Sequence, residues 1–329
     1  MKFLAVASLL ALATASPTPT QPEAGTPRLA KRAGISDAAN LGYATLNGGT
    51  KGGAGGTVTT VSTLAQFTAA VNEKNSAPAI VVVKGIISGN EKVRVGSNKS
   101  IIGLPGSGFK GVGLHFRRQS NLIVRNIVSS FVEADNGDGL KIEESTNVWV
   151  DHCEFFSALV ADKDFYDGLV DSSHGSDFIT ISHTYFHDHW KASLAGHSDS
   201  STTDKGKLHV TYANNHWKNI NSRGPLIRFG TGHIYNSYFE NMSTAINTRM
   251  GAQVLVQSNT FKNVTVPVTS RDSKEVGYAT VIDTDLGGGL NDAPAGSMKP
   301  DSVGYTYTLL GSGAVAAKVP GEAGAILNF

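Results

Sequence analysis

Five short runs in this 329-residue chain repeat one pattern, and that repetition narrows the possible folds more than any other feature. "VDHCEF" (150–155), "ISHTYF" (181–186), "YANNHW" (212–217), "IYNSYF" (234–239) and "VQSNTF" (256–261) each set a His, Asn or Ser three places before an aromatic. The aromatics at 155, 186, 217, 239 and 261 are separated by 31, 31, 22 and 22 residues. A basic period of this length with loop insertions marks a solenoid rather than a sandwich. The surrounding runs, such as "AIVVVKGIIS", "NLIVRNIVSS" and "FITISHTYF", are β-branched, with no helical pattern between them. A single-stranded parallel β-helix therefore fits better than a leucine-rich repeat. In such a fold the recurring Asn positions stack in the turns and the Phe/Trp positions stack in the core. The clearest helical stretch is "STLAQFTAAVNEKN" (62–75), where Leu64, Phe67 and Val71 share a face behind a Ser62 or Thr63 cap. It is expected to be an N-terminal capping helix that closes the open end of the solenoid.

The first 32 residues read differently. Lys2 and the apolar run "FLAVASLLALATA" suit a signal peptide over 1–16, too short to span a bilayer. Residues 17–32 are rich in Pro and Thr and end in Lys31-Arg32, the form of a pro-peptide with a dibasic cleavage site. The remaining 33–329 are expected to form the solenoid domain of a secreted, extracellular protein rather than a membrane-anchored one. Of 28 basic and 27 acidic residues, the leader holds four and one, which leaves 24 against 26. A near-neutral chain is no nucleic-acid binder by bulk charge. Apolar residues at 40% support a large core, as they must, because the lone Cys153 cannot form an intrachain disulfide. Sequons at Asn98, Asn241 and Asn263 permit N-glycosylation. The Gly-rich stretches at 46–57 and 285–296 read as loops.

Several apparent motifs fail on their context. "GSGFKG" (106–111) has dinucleotide-fingerprint spacing, but the strand-like "VGLHFRR" follows it where a helix is needed. "DKDFYDGLVD" (162–171) puts Tyr166 and Asp167 where a calcium-binding EF-hand loop needs a ligand and a glycine. "HDH" (187–189) has no HExxH around it, so satisfied surface or turn histidines are expected.

Two other clusters carry chemistry. "EADNGDGLKIEES" (133–145) and "DFYDGLVDSSHGSD" (164–177) are dense in acids. One coil apart in sequence is side by side in a solenoid, so Asp138 falls beside the Asp167–Asp171 segment. Asp167 and Asp171 would stand about 13 Å apart on a straight strand, so a shared ion demands a bend, which Gly168 permits. An all-oxygen set without His or Cys points to Ca²⁺ rather than Zn²⁺; a solvated acidic surface is the alternative. The cations lie further on. "SRGPLIRFG" (222–230) places Arg223 and Arg228 on opposite faces of a straight strand, and the Gly224-Pro225 bend can bring one round. Lys191, in "HDHWKASLAG", lies one coil earlier. Such a cluster suits a polyanionic, carboxylated substrate; three surface salt-bridge partners are the alternative.

Over residues 40–280 the chain resembles the pectate lyases of polysaccharide lyase family 1. "NVWVDHCEF" resembles that family's vWiDH signature, "SRGPLIRFG" its R-x-P-x-x-R segment and "VPVTSRDS" (266–273) its late N-P-V-T-S-R motif. The resemblance implies a right-handed parallel β-helix and Ca²⁺-dependent β-elimination of polygalacturonate from plant cell walls. It makes Asp138, Asp167 and Asp171 the calcium ligands, and Arg223 the base that takes the C5 proton. It makes Lys191 and Arg228 the grip on the substrate carboxylate and Arg249, in "INTRMG", a further sugar-binding arginine. Asn136 stands where some members carry a fourth acidic ligand, and Ser173 where some carry a basic residue, so accessory calcium and subsite contacts there are expected to differ. An arginine base must surrender a proton it ordinarily keeps; neighbouring cations favour that, and activity is then expected to rise toward alkaline pH.

Three rivals remain. A pectin lyase on the same solenoid would lose the acidic cluster and enrich aromatics, whereas this chain has three tryptophans. A polygalacturonase needs paired carboxylates for water attack, and its G-H-G and R-I-K segments are absent. A non-catalytic polysaccharide-binding β-helix has no need for Arg223 beside three aspartates. A monomer is expected, with the cleft facing solvent along the solenoid.

Overall fold

Parallel pairing runs the length of the molecule. In the computed structural model, which describes residues 33–329, ten strands from Thr57–Val61 to Tyr278–Ile282 stack into one sheet. Each pairs in parallel with the strand one coil away. A second, twelve-stranded sheet faces it. Ile86–Arg94 and Thr260–Thr269 lie at its two ends, and two ladders fill its middle: Val128–Ser130, Glu154–Phe156, Tyr185–Lys191 and His216–Ser222 on one side, and Leu140–Glu143, Val170–Ser173, Ser193–Ala195 and Leu226–Arg228 on the other. The long strands Gly108–Arg117 and Tyr238–Arg249 pair with both ladders and join them at each end. This is the all-β parallel β-helix expected from the repeats. The leader segments 1–16 and 17–32 lie outside the described residues.

The repeat has a physical reading. Its last residues pair in register as Phe155, Phe186, Trp217, Phe239 and Phe261. Their rings stack at centroid distances of 5.8, 4.2, 5.8 and 4.4 Å, within 17° of parallel. The residue three places earlier is His152, His183, Asn214, Asn236 or Ser258, with φ of 47, 45, 56, 50 and 52°. The chain turns there through the left-handed region, which Asn and His tolerate better than most residues. The turn positions stack too: His152 lies on His183, and Asn236 Nδ2 donates to Asn214 Oδ1 at 3.1 Å.

The capping helix is Leu64–Ala70, shorter than the 62–75 stretch, and Thr63 is its cap, accepting from Gln66 N. Phe67 is fully buried against Phe109, which seals the core. A second helix, Ser312–Glu322, was not apparent from sequence: Pro320 reads as a breaker, yet it sits in the last turn while Val315 and Val319 bury one face. "GSGFKG" runs into the strand Gly108–Arg117, so no phosphate-binding helix follows it.

Candidate active site

Register alone brings Asp138 to its partner segment. Leu140 pairs with Val170, so Asp138 lies across from Gly168, whose N–H donates to Asp138 Oδ1 at 2.8 Å. Asp171 Oδ1 accepts from Leu194 N at 3.0 Å. A Cβ on Gly168 would lie 2.6 Å from Asp171 Oδ1 and 2.7 Å from Asp138 Oδ1. Gly168 therefore serves a different purpose from the expected bend. It has no positive φ; its missing side chain leaves room for two carboxylates to converge. Asp167 is engaged by Lys191, its Oδ1 3.3 Å from Lys191 Nζ. Among the described residues, the one set of three ligand-type side chains with atoms within 4.8 Å of one another is Asp151, His152 and His183, not the three aspartates.

Two like charges in a buried pocket are unfavourable. Burial first, and Asp167 second, push the Asp138 carboxyl up. Burial and then Asp138 push Asp171 well above the usual carboxylate range. Asp138 Oδ2 is buried with no hydrogen-bond partner, and its nearest cation, Lys141 Nζ, is 3.8 Å away. An orphaned carboxylate oxygen, a gap where a Cβ would sit and an all-oxygen donor set fit a hard divalent cation such as Ca²⁺.

The cations line a neighbouring cavity of about 290 Å³ that includes Lys163, Lys191, Arg223, Arg228, Arg249 and Arg271. Lys191 ends its strand opposite Ser222, which places it beside Arg223. Arg223 has φ 62°, and this left-handed residue breaks the alternation between the strands ending at Ser222 and starting at Leu226. Arg223 and Arg228 thus reach the same cleft, and Arg228 pairs in register with Arg249. Acids hold several of these cations: Asp164 Oδ1 is 2.6 Å from Lys191 Nζ, and Asp199 Oδ1 is 2.6 Å from Arg228 Nε. Asp272 Oδ2 lies 3.5 Å from Arg249. Burial, then Arg228, lowers the pKa of Arg249. Lys163, Arg271 and these acid partners escaped the sequence reading, although Arg271 lies inside "VPVTSRDS" and Lys163 and Asp164 inside the rejected "DKDFYDGLVD". A loop acid carries no periodic signal.

His189 is neither a surface nor a turn residue. Its side chain is buried, with Nδ1 2.5 Å from Ser157 Oγ and Nε2 2.8 Å from the Asp167 carbonyl oxygen. Burial pushes its pKa down to about 4. Of the sequons, Asn98 is half-buried, its amide donating to Ser76 O, whereas Asn241 and Asn263 are exposed. The latter two belong to an amide ladder running Asp188, Asn219, Asn241, Asn263.

Away from the cleft, at the turn after the ten-stranded sheet, Asp151 gathers its own partners. Ser182 Oγ and His183 Nδ1 lie 2.7 and 3.2 Å from Oδ1; Arg125 Nε and His152 Nδ1 lie 2.9 and 2.8 Å from Oδ2. The two imidazoles stack with centroids 4.5 Å apart and 10° between planes. An imidazole ligates a metal in its own plane, so two stacked rings cannot both do so to one ion. Burial alone would raise the Asp151 carboxyl, but hydrogen bonds from His152 and His183 hold it far below the ordinary range. The "NVWVDHCEF" motif is therefore a satisfied structural network.

Comparison with known proteins agrees with this geometry. A family model described as pectate lyase matches residues 6–325. The chain is 54% identical to pectate lyase B of Colletotrichum gloeosporioides, covering 95% of this chain and 94% of that one. It is 49% identical to pectate lyase plyB of Emericella nidulans, covering 98% and 99%. Among solved structures, a pectate lyase from Bacillus sp. N165 in complex with trigalacturonate superposes with a TM-score of 0.77 at 31% identity. The match covers 87% of this chain and 98% of that one.

Proposed function

The chain belongs to the pectate lyase family and is a polysaccharide lyase, and from that premise we propose that it cleaves α-1,4-linked polygalacturonate by Ca²⁺-dependent β-elimination. The observation that carries this reading is the convergence of Asp138 and Asp171 over Gly168 beside a cleft of six cations. The trigalacturonate bound by the Bacillus relative supports the same kind of ligand here.

Asp138 and Asp171, with Asp167 turning in from Lys191, would hold the ion. Bound there, calcium would supply positive charge to the C5 carboxylate of the substrate and make the C5 proton more acidic. Lys191 and Arg228 hold that carboxylate once Asp164 and Asp199 give way to it, and they stabilise the enolate-like charge that develops. Arg223, having first given up a proton to solvent, accepts the C5 proton in its neutral form. The electron pair forms the C4–C5 double bond, the C4–O bond breaks, and the departing oxygen takes a proton from water. Arg249 extends the grip to a neighbouring sugar.

The leader supports secretion: a lysine-led apolar run is followed by a Pro/Thr-rich segment ending in Lys31-Arg32. No helix among the described residues is long and apolar enough to cross a membrane. We assign the mature domain to 33–329, as a monomer, with Asn241 and Asn263 as glycosylation sites ahead of the half-buried Asn98. The test is ultraviolet absorbance of the 4,5-unsaturated product from polygalacturonate, with Ca²⁺ or EDTA. A calcium-dependent rise is expected. A rise indifferent to EDTA and stronger on esterified pectin would contradict it in favour of pectin lyase, and no rise would contradict elimination altogether.

A further inference from the structure

The coil that carries Asp167 breaks the apolar rule of its own core. In the strand Tyr185–Lys191, the inward position after Phe186 is His189, which pairs in register with Ile220. Two coils on, the pair Met242 and Val264 occupies the corresponding position. All four side chains are buried, and three are apolar. The histidine alone is polar, and a buried polar group in an apolar ladder is unfavourable unless both its ring nitrogens find partners. Both do. The Asp167 carbonyl oxygen can only accept, so Nε2 carries the proton and donates to it at 2.8 Å. Nδ1 then accepts from the Ser157 hydroxyl at 2.5 Å.

What His189 grips is a single peptide unit. The Asp167 carbonyl and the Gly168 N–H belong to the same planar group. Its carbonyl end is held by His189 and its N–H end by Asp138 Oδ1 at 2.8 Å. With both ends fixed, the plane between Asp167 and Gly168 cannot rotate freely. The direction in which the Asp167 side chain leaves the backbone and the closeness of Gly168 to the Asp138 and Asp171 carboxylates are then set together. Ser157, one coil earlier, engages Nδ1 and so fixes the orientation of the ring, while the Asp167 carbonyl fixes its tautomer. Hydrogen-bond partners one step out from metal ligands play this orienting part generally, and losing one lowers metal affinity or activity about 10- to 100-fold.

We propose that His189 is a positioning residue for the calcium site: through the Asp167–Gly168 peptide it sets the placement of Asp167 relative to Asp138 and Asp171, with Ser157 holding the ring in place. This rests on the reading of those aspartates as calcium ligands. A merely structural histidine would affect melting temperature and leave calcium affinity in the folded protein alone.

Three variants separate the two roles, read by calorimetric titration of the metal-free full-length protein with CaCl₂ alongside thermal melting. His189→Gln keeps a donor near the Nε2 position. His189→Asn keeps only the Nδ1 side, facing Ser157. His189→Leu keeps neither and matches its apolar ladder neighbours. The expected order of calcium affinity is wild type, then Gln within about threefold, then Asn and Leu weaker by about tenfold or more. Activity should follow calcium occupancy, so that saturating calcium restores most of kcat in the Asn variant. Should the Leu variant fail to fold, the Gln and Asn pair, equally polar and equally buried, still decides. Equal affinities for Gln, Asn and wild type, with wild-type binding abolished by Asp171→Asn, would overturn the role of His189 alone. Wild type that binds no calcium, or binding unmoved by Asp171→Asn, would overturn the aspartate site and this role with it.

Discussion

Two of the buried carboxylate clusters among the described residues, one around Asp151 and one around Asp138 and Asp171, are built on opposite principles. Around Asp151 every carboxylate oxygen has two partners, and Arg125, Ser182, His152 and His183 close the network. Around Asp138 and Asp171 two acids are pressed together, one oxygen has no hydrogen-bond partner, and the nearest cation, Lys141 Nζ, stays 3.8 Å from it. The first arrangement lowers the carboxyl pKa and the second raises it. A satisfied network stabilises the coil it sits in. An unsatisfied one is retained against stability, which is the physical signature of a site that waits for a ligand.

The largest effect should come from the cleft. Arg223→Ala is expected to lower kcat about 10³-fold or more while shifting the melting temperature by about a degree, because it removes the proposed base and no core contact. A drop of only tenfold would mean that another group takes the proton. Next in size is Asp151→Ala. Stripping Arg125 Nε, Ser182, His152 and His183 of their shared acceptor, with Arg125 left only its contacts to Asp37 and the Gly34 carbonyl, should cost about 3 kcal/mol, read as a fall of roughly 10 °C in melting temperature. The kcat of the folded fraction should be unchanged; a selective loss of kcat would erase the distinction between the two clusters.

Acid sharpens the same contrast. The Asp151 carboxyl is depressed in the folded protein, so its contribution is present above the unfolded value of about 4 and is lost as pH falls below that. Urea midpoints between pH 7 and pH 3 should therefore fall more steeply for wild type than for Asp151→Asn. Parallel slopes would show that Asp151 titrates alike in both states. The smallest effect is expected at the edge of the cleft. Arg249→Ala should lower kcat/KM on polygalacturonate about tenfold, chiefly through KM. A pure kcat effect would place Arg249 at the reacting sugar instead.

Sequence made some of this legible and hid the rest, for identifiable reasons. The aromatic stack and the left-handed turn residues are spaced regularly along the chain, so Phe155 to Phe261 and His152 to Ser258 could be read as a solenoid. The aspartates and cleft cations could be grouped because coils lie side by side and their charges cluster. What Gly168 does was hidden, because a glycine that makes room looks like a glycine that turns until the neighbouring carboxylates are seen. His189 was hidden because its partners, Ser157 and the Asp167 carbonyl, lie on other coils. Asp164 and Asp199 were hidden because loop acids follow no period. The helix Ser312–Glu322 was masked by Pro320.

The most direct test of the contrast is the melting temperature of Asp171→Asn and Asp151→Asn, measured side by side in EDTA at neutral pH. Removing a repelled charge should leave Asp171→Asn as stable as wild type or more so, although its activity is gone, while Asp151→Asn melts several degrees lower with its chemistry intact. If Asp171→Asn melts well below wild type in EDTA, the cleft carboxylates are part of the scaffold, and the division between a satisfied cluster that stabilises and an unsatisfied one that binds does not hold.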